Sequence, residues 1–76
     1  MVNAMKTLTA IITPAPKGKW LVAWNPETGT TTQGRTYDEA LDNLREATAL
    51  YLSEFPLPKK AGRAVMTTFD LAESHA

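Results

Sequence analysis

A chain of 76 residues has room for one domain and a modest core, and with no cysteine it has neither disulfides nor a thiolate metal site. Zero formal net charge argues against strong sequence-independent nucleic-acid binding, which needs a concentrated basic face. No apolar run approaches the roughly 20 residues that span a bilayer, and the start, MVNAMKTLTAIITPAPKGK, lacks the pattern of a signal peptide, so a cytoplasmic protein without membrane contact is expected.

Met1–Ala4 read as a frayed start. Met5–Thr13 is rich in Thr and Ile and reads as a first strand, with Leu8, Ala10 and Ile12 on one face and Thr7, Thr9 and Ile11 on the other. Pro14 and Pro16 cannot donate ladder bonds and Gly18 admits a positive φ, so residues 14–18 turn the chain back. Lys19–Asn25 is a second strand. Trp20, Val22 and Trp24 share one face, Leu21 and Ala23 the other, and two apolar faces mark an interior strand. Pro26–Gly29 has turn composition, and Thr30–Gln33 is a short β-branched third strand.

Thr36 and Glu39 have the Thr-x-x-Glu spacing of a capping box, in which each side chain bonds the other residue's backbone N–H. Tyr37, Ala40, Leu41, Leu44, Ala47, Thr48, Tyr51, Leu52 and Phe55 then fall on one side of a wheel at about 100° per residue, which predicts an amphipathic helix over 37–54. Tyr37, Leu41, Leu44 and Thr48 are its expected core positions. Phe55-Pro56-Leu57-Pro58 ends it, because proline disfavours helical backbone in the residue before it. Lys59–Gly62 reads as a loop and 63–71 as a fourth strand, with Val65, Thr67, Phe69 and Leu71 alternating against Ala64, Met66, Thr68 and Asp70. Residues 72–76 read as a loose tail.

The expected fold is therefore α+β in the order β-β-β-α-β, one domain over 1–76 with strands near 5–13, 19–25, 30–33 and 63–71. Three short-linked strands make an antiparallel meander. A right-handed crossover through the helix then sets the last strand beside the first, giving a mixed sheet of order 3-2-1-4 with the helix on one face.

Catalytic groups are scarce. His75 is the second-last residue, Ser53 and Ser74 have no base beside them, and no phosphate-binding loop occurs. Asp38, Glu39, Asp42 and Glu46 project from the outer helix face, which reads as solvated surface rather than a metal site, so neither a metal nor any other cofactor is expected. Charge is nevertheless uneven. Residues 1–26 carry three lysines and no acid, whereas residues 27–54 carry six acids against Arg35 and Arg45. The acidic face would suit a basic partner, although a solvated face kept charged for solubility accounts for it as well.

The linked pattern Gly18-Lys19-Trp20-Leu21-Val22-Ala23-Trp24-Asn25-Pro26, then Gly29, then Thr32-Gln33-Gly34-Arg35-Thr36-Tyr37-Asp38-Glu39-Ala40, then Asn43 with Glu46-Ala47, resembles the HicB family of antitoxins. The likeness covers residues 18 to about 55, half the chain. Arg35 stands where an Asp is usual, and Thr28 where a Pro usually precedes the Gly. The resemblance implies a degraded RNase H-like fold, no catalysis, and neutralisation of a HicA toxin, a small basic ribonuclease, by direct contact. Many relatives add a C-terminal DNA-binding domain; this sequence shows none, so DNA binding is not expected of this chain alone. Trp20 and Trp24 are explained by core or dimer contacts better than by RNA stacking, and Thr36, Glu39 and Gly34 by capping and turn geometry.

The alternative is a stand-alone dimeric scaffold, or an RNA-binding module on a catalytically dead RNase H-like sheet. Two-metal nucleases of that fold place an acid on the first strand, and residues 1–26 have none. The expected toxin contact is Leu50, about 220° round the wheel from Tyr37 and so opposite the buried stripe, with Glu39, Asn43 and Glu46 as its polar rim. A fold-back of residues 56–60 over Leu50, or a scattered exposed leucine, accounts for it equally. Self-association is expected through Ile11, Leu21 and Ala23, which would be left bare if the Trp20 face meets the helix.

Overall fold

The computed structural model describes residues 6–58 and 62–73. The frayed start, the loop Lys59–Ala61, Ser74 and His75 lie outside the described residues. Three strands and one helix follow in order: β1 (Ile11–Pro14), β2 (Leu21–Asn25), β3 (Thr30–Gly34) and α1 (Tyr37–Glu54). The fold is α+β, a three-stranded antiparallel sheet in the order β1-β2-β3 with the helix on one face.

Each turn has its chemistry. Ala15 N–H closes the β1–β2 hairpin on the Trp20 carbonyl at 2.9 Å, with Gly18 at φ 88°. Gly29, at φ 80°, donates its N–H to the Asn25 carbonyl at 2.8 Å, while the Asn25 side chain accepts from Thr28 N–H at 2.8 Å. The asparagine side chain thus caps the turn from within, bonding the N–H three residues on.

β1 begins at Ile11, well after the expected start near residue 5, and the β2 turn is the reason. Ile11 pairs with Trp24, so Ala10 falls opposite Asn25, the last residue of β2, and Thr9 and the residues before it run past its end, where the chain has already left the sheet for the turn. Thr9 bonds side chains there instead of a ladder: Asn25 Nδ2 donates to the Thr9 carbonyl at 2.8 Å.

The capping box at the start of α1 forms with one change. Thr36 Oγ1 accepts from Glu39 N–H at 3.0 Å, but Glu39 Oε1 accepts from Arg35 N–H at 2.8 Å, one residue earlier than the box requires. At the other end Phe55 N–H donates to the Tyr51 carbonyl at 2.8 Å and Pro56 stops the helix.

The core is small. Ala23 and Ala40 are fully buried with Leu44 beside them, and Ala10, Ile12 and Leu21 pack against that cluster. Ala40, Leu44 and Thr48 lie one turn apart along α1 and are its buried residues. Tyr37 is exposed rather than core, and Tyr51 and Phe55 meet each other outside with ring centroids 5.2 Å apart. The apolar stripe of the helix is wider than three strands can cover.

Two expectations are corrected. The helix sits on the Leu21–Ala23 face of β2, so the face expected to self-associate through Leu21 and Ala23 is the core itself. Cross-strand partners set Ile11, Val22 and Trp24 on the opposite, open face, and Trp20 lies exposed beneath the Arg35 guanidinium, 5.1 Å from its ring. The reason is steric. Ala23, Gly34 and Ala40 are the small residues that let helix and sheet backbones approach, and a tryptophan does not fit that gap. The second correction is the fourth strand: residues 62–73 form no strand in the structure.

Candidate functional site

Three surfaces carry polar or apolar groups in an arrangement that can bind. The first is the outer face of α1. Of the four residues expected to meet a partner, two are engaged within the fold. Glu39 caps the helix start, and Asn43 Nδ2 donates to the Gln33 carbonyl at 2.9 Å, tying α1 to β3. Glu46 is exposed, and Leu50, one turn further on, is 70% exposed, so residues 56–58 do not cover it. Arg45 and Asp42 pair at 2.8 Å as an exposed i,i+3 bridge, a contact of small energetic value. The face thus presents one apolar side chain bordered by Glu46 and Glu54.

The second surface is the open sheet face, where Trp24 stands between Ile11 of β1 and Thr31 of β3. Arg35 stacks on Trp20 and extends this aromatic surface towards the helix start.

The third is a polar clamp that sequence reasoning passed over. Asn25 is 1% exposed and Glu27 half-buried. The Glu27 carboxylate accepts from Thr9 N–H (2.9 Å), Thr9 Oγ1 (2.8 Å), Asn25 Nδ2 (2.7 Å) and Ala64 N–H (2.9 Å). Desolvation alone pushes this carboxyl up. The hydrogen bonds from Thr9, Ala64 and Asn25 outweigh it and hold the pKa at about 2, against an ordinary 4.5. One side chain therefore joins the lead-in to β1, the β2–β3 turn and the root of the C-terminal segment. The only signal in the sequence was an Asn and a Glu inside a Pro-Gly turn, and that pattern says nothing about a contact 37 residues away.

Among the described residues no group of three or more His, Cys, Asp or Glu is placed to hold a metal ion, and no helix is long and apolar enough to cross a membrane. Comparison with models of protein families, with curated proteins and with solved structures gives no match.

Proposed function

We propose that this chain is a binding module rather than an enzyme, an antitoxin-like protein that neutralises a small basic ribonuclease of the HicA type by direct contact. The resemblance over residues 18–55 supports the reading, since those residues make up β2, β3 and α1, the part of the fold that presents the outer helix face. The observation that carries it is Leu50, 70% exposed amid the acids of α1. An apolar centre with a charged edge is the anatomy of a contact surface, and an acidic edge suits a basic partner. On this reading the three strands and helix are the greater part of a degraded RNase H-like fold.

The test is Leu50→Glu, measured by binding to a purified HicA-type ribonuclease and by inhibition of its RNA cleavage. With the side chain exposed, the melting temperature should not move. Affinity should fall at least about 30-fold, the effect of losing a central anchor of 2 kcal/mol or more. The chain without its partner should leave RNA intact. Unchanged binding by the variant would refute the assignment of Leu50, and the absence of binding by the parent chain would refute the toxin partner.

A second reading, a homo-oligomeric scaffold, is favoured by a specific observation: apolar side chains stand exposed on the open sheet face at Trp20 and Trp24 and along the segment after Ala64. Single scattered apolar residues are ordinary on a surface, but two contiguous groups on one small domain are not.

A further inference from the structure

Residues 64–73, AVMTTFDLAE, alternate as a strand does and yet form none. Val65, Phe69 and Leu71 are 86, 83 and 81% exposed. The segment is nonetheless rooted. Ala64 N–H donates to Glu27 Oε2 at 2.9 Å, and the Ala64 carbonyl accepts from Thr9 Oγ1 at 3.4 Å. From Ala64 to Glu73 there is no glycine or proline, so no turn former interrupts the segment. The segment leaves the domain as an arm. The molecule is 60 Å long and its radius of gyration is 15.5 Å, where about 11 Å is usual for a compact chain of this length.

The same domain has a vacancy of matching kind. β1 pairs only with β2, and its other edge is unpaired among the described residues. α1 lies mainly over β3 and β2 and scarcely reaches β1. Beneath its uncovered flank is a groove of about 450 Å³ walled by Leu8, Ala10, Leu41, Leu44 and Leu52, and Thr48 Oγ1 is buried beside it with no hydrogen-bond partner among the described residues. β3, by contrast, has α1 packed against it along much of its length.

Length and charge identify the occupant. β1, Ile11–Pro14, offers a short free edge, and residues 65–73, at about 3.3 Å per residue of extended chain, are long enough to cover it. The arm carries Asp70 and Glu73 and no base, whereas residues 6–19 on the β1 side carry Lys6, Lys17 and Lys19 and no acid. An edge strand with an unpaired ladder takes up such a segment by main-chain hydrogen bonds, with alternate side chains entering a pocket.

We propose that two copies of this chain exchange their arms, residues 65–73 of each adding to the free edge of β1 in the other as the fourth strand of its sheet. Val65, Phe69 and Leu71 enter the groove beneath α1, and Ala64, clamped to Glu27, is the point from which each arm departs. A two-fold axis makes the exchange reciprocal, so neither copy is left with an open edge. The proposal rests on the homo-oligomeric reading and specifies its interface.

The chain has no cysteine, so single cysteines report on the contact without background. Thr13→Cys on β1 and, in a separate full-length chain, Thr67→Cys, Thr68→Cys or Asp70→Cys on the arm are mixed, refolded together and oxidised. The expected result is a disulfide-linked heterodimer for at least one arm position. Sedimentation should show the parent chain as a dimer at tens of micromolar. The double variant Phe69→Asp with Leu71→Asp should sediment as a folded monomer, its dimer dissociation constant raised at least about 100-fold by the loss of two apolar anchors. A monomeric parent chain overturns the arm exchange and the homo-oligomeric reading together. A dimer indifferent to the arm charges but dissociated by Trp24→Glu overturns the exchange alone. A Thr13→Cys and Thr67→Cys double variant that closes its disulfide within one chain shows the arm on its own sheet and overturns it too.

Discussion

Gly34→Ala should be the most damaging methyl group that can be added to this protein. No positive φ marks Gly34, so its backbone suits alanine. The obstacle is space. A Cβ there would lie 2.5 Å from Ala40 N, 2.8 Å from Ala40 Cα and 2.9 Å from the Glu39 carbonyl carbon. All three atoms are helix backbone, so no side chain can rotate away; the first turn of α1 must lift off β3. That movement strains the Thr32 Oγ1 bond to the Ala40 carbonyl (3.3 Å) and the Asn43 bond to the Gln33 carbonyl (2.9 Å), and it opens the contact of Ala23 with Ala40. Overpacking of this kind costs about 3 kcal/mol, which for a domain of this size lowers the melting temperature by roughly 12–24 °C. Gly29→Ala is the informative comparison. Its Cβ would meet nothing within 4 Å, and only the left-handed backbone, φ 80°, resists it. That costs about 1–2 kcal/mol. Thermal melts followed by circular dichroism should therefore rank Gly34→Ala below Gly29→Ala, and the reverse order would mean that the helix does not sit on Gly34.

Asn25→Ala should be nearly as severe, and Glu27→Gln milder but dependent on pH. The Asn25 side chain satisfies the Thr9 carbonyl, Glu27, Thr28 N–H and Thr28 Oγ1 at 2.6–2.8 Å. Truncation leaves the Thr9 carbonyl and Thr28 N–H without their side-chain partner in a part-buried site and removes one of the four donors to Glu27, at about 2–4 kcal/mol. The Glu27 carboxyl has a folded pKa of about 2 against 4.5. A depressed carboxyl stabilises the fold fully above the unfolded pKa, and the contribution disappears as pH falls through the folded one. The stability of the parent chain should therefore decline between about pH 4.5 and pH 2, by on the order of 1–2 kcal/mol from this group once solvent screening is discounted. Glu27→Gln should melt lower than the parent at pH 7, and the gap should narrow towards pH 2. Melting curves across that range that run parallel for the two proteins would show that the clamp contributes no stability.

These two sites show where sequence reading succeeds and where it stops. The helix, expected near 37–54, was legible, because Thr36, Glu39 and Pro56 act on backbone within one turn of themselves. The order of the first three strands was legible too, since proline, glycine and asparagine turn the chain locally at 14–18 and 26–29. The face of β2 that meets the helix was not. Both faces are apolar, and hydrophobicity favours the tryptophans. Close approach of two backbones favours Ala23, Gly34 and Ala40, and that preference exists only when helix and sheet are brought together.

The proposed contact surface divides in the same way. Leu50 could be placed outside the buried stripe by counting residues, and it is exposed. Glu39 and Asn43, on the same side of the wheel, looked equally available, yet one caps α1 through Arg35 and the other holds β3. The alternation at 63–71 was present in the sequence as a strand pattern, but a strand needs an edge to pair with, and the position of that edge is set by the rest of the chain. By itself, then, the sequence determined the helix, the three-strand meander and their turns, because capping, turn geometry and apolar period act over a few residues. Only the tertiary structure decided which face is core, that Asn25 and Glu27 join segments distant in the chain, and that residues 65–73 stand exposed beyond the Ala64 anchor, because steric fit, a shared carboxylate and a free ladder edge come into being only when those segments meet.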